Sequence, residues 1–137
     1  MHTILSDLLY KVNSVHKLIL EEIENTDLIL YTFIECLSRL THLQLIECYI
    51  TEECFDIVIE LVKNLEYLSI EGTGVNQKLR RITKLDKLKH LNLSGYNYKF
   101  DSNDLGNLAY NCKNLESLKI DWVSNDGIKW VFFINNY

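Results

Sequence analysis

Proline is absent from the 137 residues, glycine occurs five times, and the one alanine is Ala109. Asparagine, isoleucine, lysine and tyrosine are correspondingly frequent, a bias that AT-rich codon supply produces and that concerns origin, not mechanism. The four cysteines, Cys36, Cys48, Cys54 and Cys112, make no C-x-x-C pair, so neither a disulfide framework nor a zinc site is signalled. They read as reduced and mostly buried. No stretch approaches the roughly 18 uninterrupted apolar residues of a spanning helix. The most apolar window, Leu28 to Leu40, is broken by Glu35 and Arg39. Met1 to Leu9 has no cationic n-region, no long apolar run and no small-residue cleavage site, so a cytoplasmic or nuclear chain without membrane contact is expected. Positive charge is in deficit too. A formal net charge of -5 repels phosphate backbones and anionic membranes, which makes nucleic acid a poor partner.

What is present is a globular composition, 47% hydrophobic and 24% charged, at the length of one domain. Its organising feature is self-similarity. The pattern apolar-x-x-Leu-x-apolar occurs at Val15–Leu20, Leu40–Leu45, Leu65–Ile70, Leu88–Leu93 and Leu115–Ile120, with starts 25, 25, 23 and 27 residues apart. Within each unit the last apolar positions alternate with polar ones, the period of a strand with one face buried. Before each strand the spacing becomes helical, as in Phe55, Val58, Ile59 and Val62 or Leu79, Ile82 and Leu85. Helix starts are marked by Asp27, by Thr51 with Glu52 and Glu53 behind it, and by Asp101-Ser102. A strand, turn and helix in so few residues cannot bury an apolar side alone. The units must stack, with parallel strands on a concave face and helices on a convex one. The expected layout is one domain over 1–137: an N-terminal helix or cap over 1–14, repeats over 15–127 and a C-terminal cap over 128–137.

The second unit reads Leu40-x-x-Leu43-x-Leu45-x-x-Cys48-x-Ile50-Thr51-Glu52, and the last contributes Leu108-Ala109-x-x-Cys112-x-x-Leu115. In these residues the chain resembles leucine-rich repeats of the cysteine-containing type, found in many F-box substrate receptors. The match is one residue short between Cys48 and Ile50, and elsewhere the cysteine position holds Ile23, Thr73, Tyr96 and Val123. The resemblance implies an α/β solenoid of about five repeats that binds another protein as adaptor or scaffold. It also implies two alternatives: substrate recognition in a ubiquitin-ligase complex, and a small assembly factor or decoy. Met1 to Ser14 is too short for an F-box, so any ligase-docking part lies elsewhere.

Neither a catalytic constellation nor a cofactor or metal site is expected. His42 and His90 share one repeat position two strands apart, about 10 Å, too far to hold one metal without further ligands. Cys48 and Cys112 match core positions, where a thiol is inert. Gly72-Thr73-Gly74 lacks the remainder of a phosphate loop and reads as a turn. Asn92-Leu93-Ser94 matches a glycosylation acceptor, but it falls on a strand. Lys78, Arg80, Arg81, Lys84, Lys87 and Lys89 read as the solvated outer face of a helix, with an anionic partner as the sharper alternative.

Alternation places three columns on the concave face: Lys17, His42, Tyr67, His90 and Ser117; Ile19, Gln44, Ser69, Asn92 and Lys119; and Glu21, Ile46, Glu71, Ser94 and Asp121, with Glu22, Glu47 and Trp122 adjacent. The partner-binding set is His42, Gln44, Glu47, Tyr67, Ser69, Glu71, His90, Asn92, Lys119, Asp121 and Trp122. Tyr67 and Trp122 are amphipathic anchors expected on the exposed side, and the acidic edge around them favours a basic segment of the partner. The run Ile128 to Ile134 is apolar almost throughout. It either closes the end as a helix or strand, the preferred expectation, or supports weak self-association through Trp130 and Phe133 of a mostly monomeric chain.

Overall fold

The computed structural model describes residues 15–73, 79–94, 102–123 and 129–135. Strand β1 (Lys17–Glu21) is followed by α1 (Thr26–Thr32) and the single turn α2 (Ile34–Leu37). Next come β2 (His42–Ile46), α3 (Glu52–Leu61), β3 (Tyr67–Ser69), α4 (Leu79–Ile82), β4 (His90–Leu93), α5 (Ser102–Asn111), β5 (Ser117–Val123) and β6 (Lys129–Asn135). The architecture is α/β. The strands form one six-stranded sheet in the order of the chain, β1 to β5 parallel and β6 antiparallel on β5.

Leucine fixes the register. Leu18, Leu43, Leu68, Leu91 and Leu118 are successive partners across the five parallel strands, and the residues either side of them fall into step. From Leu43 onward these leucines are buried, in one cluster with Phe55, Val58 and Ile59 of α3, Leu79 and Ile82 of α4, and Leu108 of α5. Leu18 and Leu20 are half-buried, because β1 has a neighbouring strand on one side only. An apolar recess of about 90 Å³ beside them is lined by Val15, Leu18, Phe33, Cys36, Leu37 and Leu40. The cap expected over 1–14 lies outside the described residues.

Each strand and the segment that leads to the next form one coil, stitched to its neighbours at both ends of the strand. Where strands begin, one carbonyl accepts two amide hydrogens from the next coil: His16 from Thr41 and His42, Thr41 from Glu66 and Tyr67, Glu66 from Lys89 and His90, Lys89 from Glu116 and Ser117. Both lone pairs of each carbonyl are thereby used. Where strands end, Glu22, Glu47 and Gly72 take positive φ of 53°, 49° and 68°. Their amides donate to the carbonyls of Ile46, Glu71 and Ser94 at 2.9, 2.7 and 3.3 Å, so the left-handed turn carries the ladder past the end of each strand.

Local signals act as their chemistry demands. Thr51 caps α3 by accepting from the Cys54 amide at 3.2 Å, and the Asp27 carboxylate accepts from the Thr51 amide and hydroxyl at 3.0 and 2.5 Å. Asp27 sits in the first turn of α1 and not at its cap, which is Asn25. The cationic segment departs from expectation. Helix α4 is a single turn ending at Ile82, where the Thr83 hydroxyl donates to the Arg80 carbonyl at 2.5 Å, so Lys84, Lys87 and Lys89 lie on the loop that follows and not on a helix face. Lys84 meets Glu60 at 2.5 Å and Arg81 meets Asp56 at 3.5 Å, both carboxylates belonging to α3. Lys78 lies outside the described residues.

The closing segment is a strand. β6 pairs with β5 over seven residues, from Ser117↔Asn135 to Val123↔Lys129. Trp130, Phe132 and Ile134 stand opposite Trp122, Ile120 and Leu118, on the parity of the core positions. Phe133 stands opposite Lys119, on the other parity.

Candidate protein-binding face

The sheet brings the expected columns together. Lys17, His42, Tyr67, His90 and Ser117 are consecutive register partners, as are Ile19, Gln44, Ser69, Asn92 and Lys119. The central members of the first column form an aromatic ladder. His42 and Tyr67 lie 5.7 Å apart between centroids at 15°, and Tyr67 and His90 lie 6.1 Å apart at 42°. Strand spacing sets this geometry, since adjacent coils place equivalent side chains about 4.8 Å apart. Tyr67 therefore separates the two histidines, and among the described residues no group of three or more His, Cys, Asp or Glu is placed to hold a metal. The His42 Nδ1 is 2.9 Å from the Thr41 hydroxyl, and the His90 Nε2 is 4.0 Å from a Glu116 carboxylate oxygen.

The second column departs from expectation at Ser69. Gln44, Asn92 and Lys119 are half-buried, but Ser69 is only 2% exposed. The smallest side chain of the column stands between the longer Gln44 and Asn92, so it forms a floor and not a contact point. Asn92 turns its amide oxygen onto the Ser94 amide at 3.0 Å and onto the Ser94 hydroxyl, which buries Ser94 as well. Ile19 at the other end is 47% exposed.

Acidic groups gather where the strands end. Glu21, Glu22 and Glu47 are exposed, and Glu71 and Asp121 are half-buried. Trp122 has a backbone position of the core parity, paired with Trp130, instead of the parity of Lys119 and Asp121. Its side chain lies outside the described residues, whereas Tyr67 is half-buried on the described face. The positive φ of Glu22 and Glu47 was not anticipated. Its signal was the alignment of Glu22, Glu47, Gly72 and Gly95 at one repeat position, two of them glycine.

At the opposite edge, where strands begin, charge is paired. Lys89 meets Glu66 at 2.8 Å. That hydrogen bond and charge hold the Glu66 carboxyl below its usual range and raise the Lys89 ammonium above its own. The thiols are unsuited to attack. Burial pushes Cys54 up to about 11, aided by the Asp27 charge, and burial alone pushes Cys112 up to about 11. Cys48, also buried, donates to the carbonyls of Leu20 and Ile46 at 3.2 and 3.4 Å.

No protein-family model matches the chain, and neither a curated protein nor a solved structure matches it. Among the described residues no helix is long and apolar enough to cross a membrane.

Proposed function

We propose that the chain is a leucine-rich-repeat solenoid that works as a protein-binding adaptor or scaffold, holding a basic segment of its partner across the sheet. The segment lies along β3. Tyr67, flanked by His42 and His90, provides one end of the seat, the Ser69 floor between Gln44 and Asn92 its middle, and Glu22, Glu47 and Glu71 the acidic end. Lys119 and Asp121 border it on β5.

The observation that carries this reading is the pair Glu22 and Glu47 at positive φ, where the third coil has Gly72. A residue with a Cβ pays about 1 kcal/mol or more for that conformation, and strain retained beside an acidic cluster marks a site where charge serves something other than folding. Solvation of an open sheet accounts for scattered polar groups, but not for glutamate where glycine fits better.

The test uses an oligolysine peptide and the double substitution Glu22→Gly and Glu47→Gly, which suits the positive-φ backbone and removes both carboxylates. Two exposed ion pairs lost should weaken the peptide roughly three- to tenfold. Equal binding to both proteins removes the acidic edge from the site.

A further inference from the structure

A groove of about 660 Å³ runs along the opposite edge, across the loops that lead into successive strands. It is lined by Arg39, Lys87 and Lys89 against one carboxylate, Glu66, together with hydroxyl and amide groups such as Thr41 and Asn64. A chain of net charge -5 thus carries a local cationic surplus. The acidic groups at the far ends of the strands do not cancel it. Five strand residues span about 16 Å, roughly twice the screening length of about 8 Å at physiological salt, so a ligand in the groove responds to the groove.

The cations are also held in place. Lys87 donates to the Asn64 side-chain oxygen at 2.6 Å, and Asn64 in turn donates to the Ser38 carbonyl at 2.9 Å, a relay through three coils. Asn114 repeats the device one coil further, donating to the Asp86 carbonyl at 2.8 Å. A lysine normally loses rotamer freedom when it binds. Here part of that loss has already occurred in the free protein, and one bond to Asn64 leaves the ammonium two further hydrogens to donate.

We propose that this groove binds an acidic peptide segment, with one carboxylate on Arg39 and a second on Lys87. Those residues occupy one repeat position two coils apart, about 10 Å at the strand spacing, and a peptide in the polyproline-II conformation, with three residues per turn and about 3.1 Å per residue, puts residues three apart on one face at about that distance. The occupant is therefore a segment with acidic residues at i and i+3 that runs across the coils, perpendicular to the strands. Lys89, already committed to Glu66, shapes the wall and adds little net charge. Nucleic acid fits less well, because a phosphate backbone needs many cationic contacts and meets Glu66 inside the groove. The site stands apart from the basic-segment seat, so a partner with segments of both signs could occupy the two together.

The probe is a Gly/Ser-rich peptide with two glutamates at i and i+3, titrated into the intact protein and followed by fluorescence anisotropy. Arg39 and Lys87 are exposed, so their substitution leaves the core intact, and unchanged melting temperatures verify this. Lys87→Gln should weaken binding roughly fivefold and Lys87→Glu roughly thirtyfold, with similar losses for Arg39, as expected for one close ion pair removed or inverted in water. Asn64→Ala, which frees Lys87 without removing charge, should weaken it to a smaller extent. Moving the second glutamate to i+1 should weaken it as well. The proposal is overturned by absence of peptide binding, by binding indifferent to both charge reversals, or by indifference to glutamate spacing. It is overturned equally if the same substitutions abolish salt-sensitive self-association while the peptide fails to bind, since the groove would then receive the acidic edge of another copy.

Discussion

Glu47 and Gly72 stand at the same place in successive coils and both have positive φ, 49° and 68°, with a side chain on one and none on the other. Glycine reaches that geometry without steric cost, although it loses more chain entropy on folding. Glu47→Gly should consequently stabilise the fold, by up to about 1 kcal/mol. Urea denaturation reads the change directly, and a lowered midpoint would show that the Glu47 side chain contributes to folding. The buried thiols give a second expectation. Cys112 is raised from an ordinary value near 9 to about 11, so its contribution to stability is complete below pH 9 and is lost as pH rises through 11. The denaturation midpoint should fall over that window, and by less in Cys112→Ala. Alkylating reagents should leave Cys54 and Cys112 unmodified near neutral pH until the protein unfolds. Rapid labelling of the native chain would contradict the burial described.

Each parallel strand contributes one leucine to the ladder, and Leu43, Leu68 and Leu91 have leucine partners on both sides. Replacing Leu68 or Leu91 by alanine should cost about 2 to 5 kcal/mol, as for a fully buried leucine, and should loosen the neighbouring coils. An unchanged denaturation midpoint would put the register in error. Thr51→Ala should cost about 1 kcal/mol through the α3 cap. The effect should exceed that of an isolated cap, because Asp27 of the previous coil loses the Thr51 hydroxyl as a donor and keeps only the backbone amide.

Strands were legible in the sequence because leucine spacing fixes both face and register, and the paired columns around Tyr67 followed from it. Helix length was not. The alternation of cations with Leu79, Ile82 and Leu85 suited a long helix, but the turn at Thr83 ends α4 and leaves Lys87 and Lys89 on the loop. Nor could an apolar run such as Lys129–Asn135 declare helix or strand, since neither periodicity is present in it. Pairing with β5 decides it. Ser69 was misplaced for another reason: alternation gives direction, whereas exposure depends on the size of the neighbours.

For the molecule as a whole, charge is divided along the strands. Carboxylates gather where the strands end, and the cations of the groove lie where they begin. If both proposed sites are used, the partner offers charge of both signs, even though the net charge of this chain has one. At the end of the sheet β6 completes the pairing of β5, and it presents an edge strand of its own with one charge, Lys129. An edge of that kind favours association between copies. With β6 hydrogen-bonded to β5 over seven residues, we expect association to be weak and the chain to sediment as a monomer at micromolar concentration. A stable dimer that charged substitutions at Trp130 and Phe133 dissociate would reverse this.

Affinity capture from the cells of origin, with wild type and the Glu22→Gly, Glu47→Gly protein side by side, addresses the central claim most directly. The account predicts one stoichiometric protein with an exposed basic segment, retained by wild type and depleted on the variant, whose fold is at least as stable. Cullin-ligase subunits in that complex would assign the recognition to ubiquitin transfer. Identical sets of proteins on both, or none on either, would contradict the claim that the acidic end of this sheet is a protein-binding site.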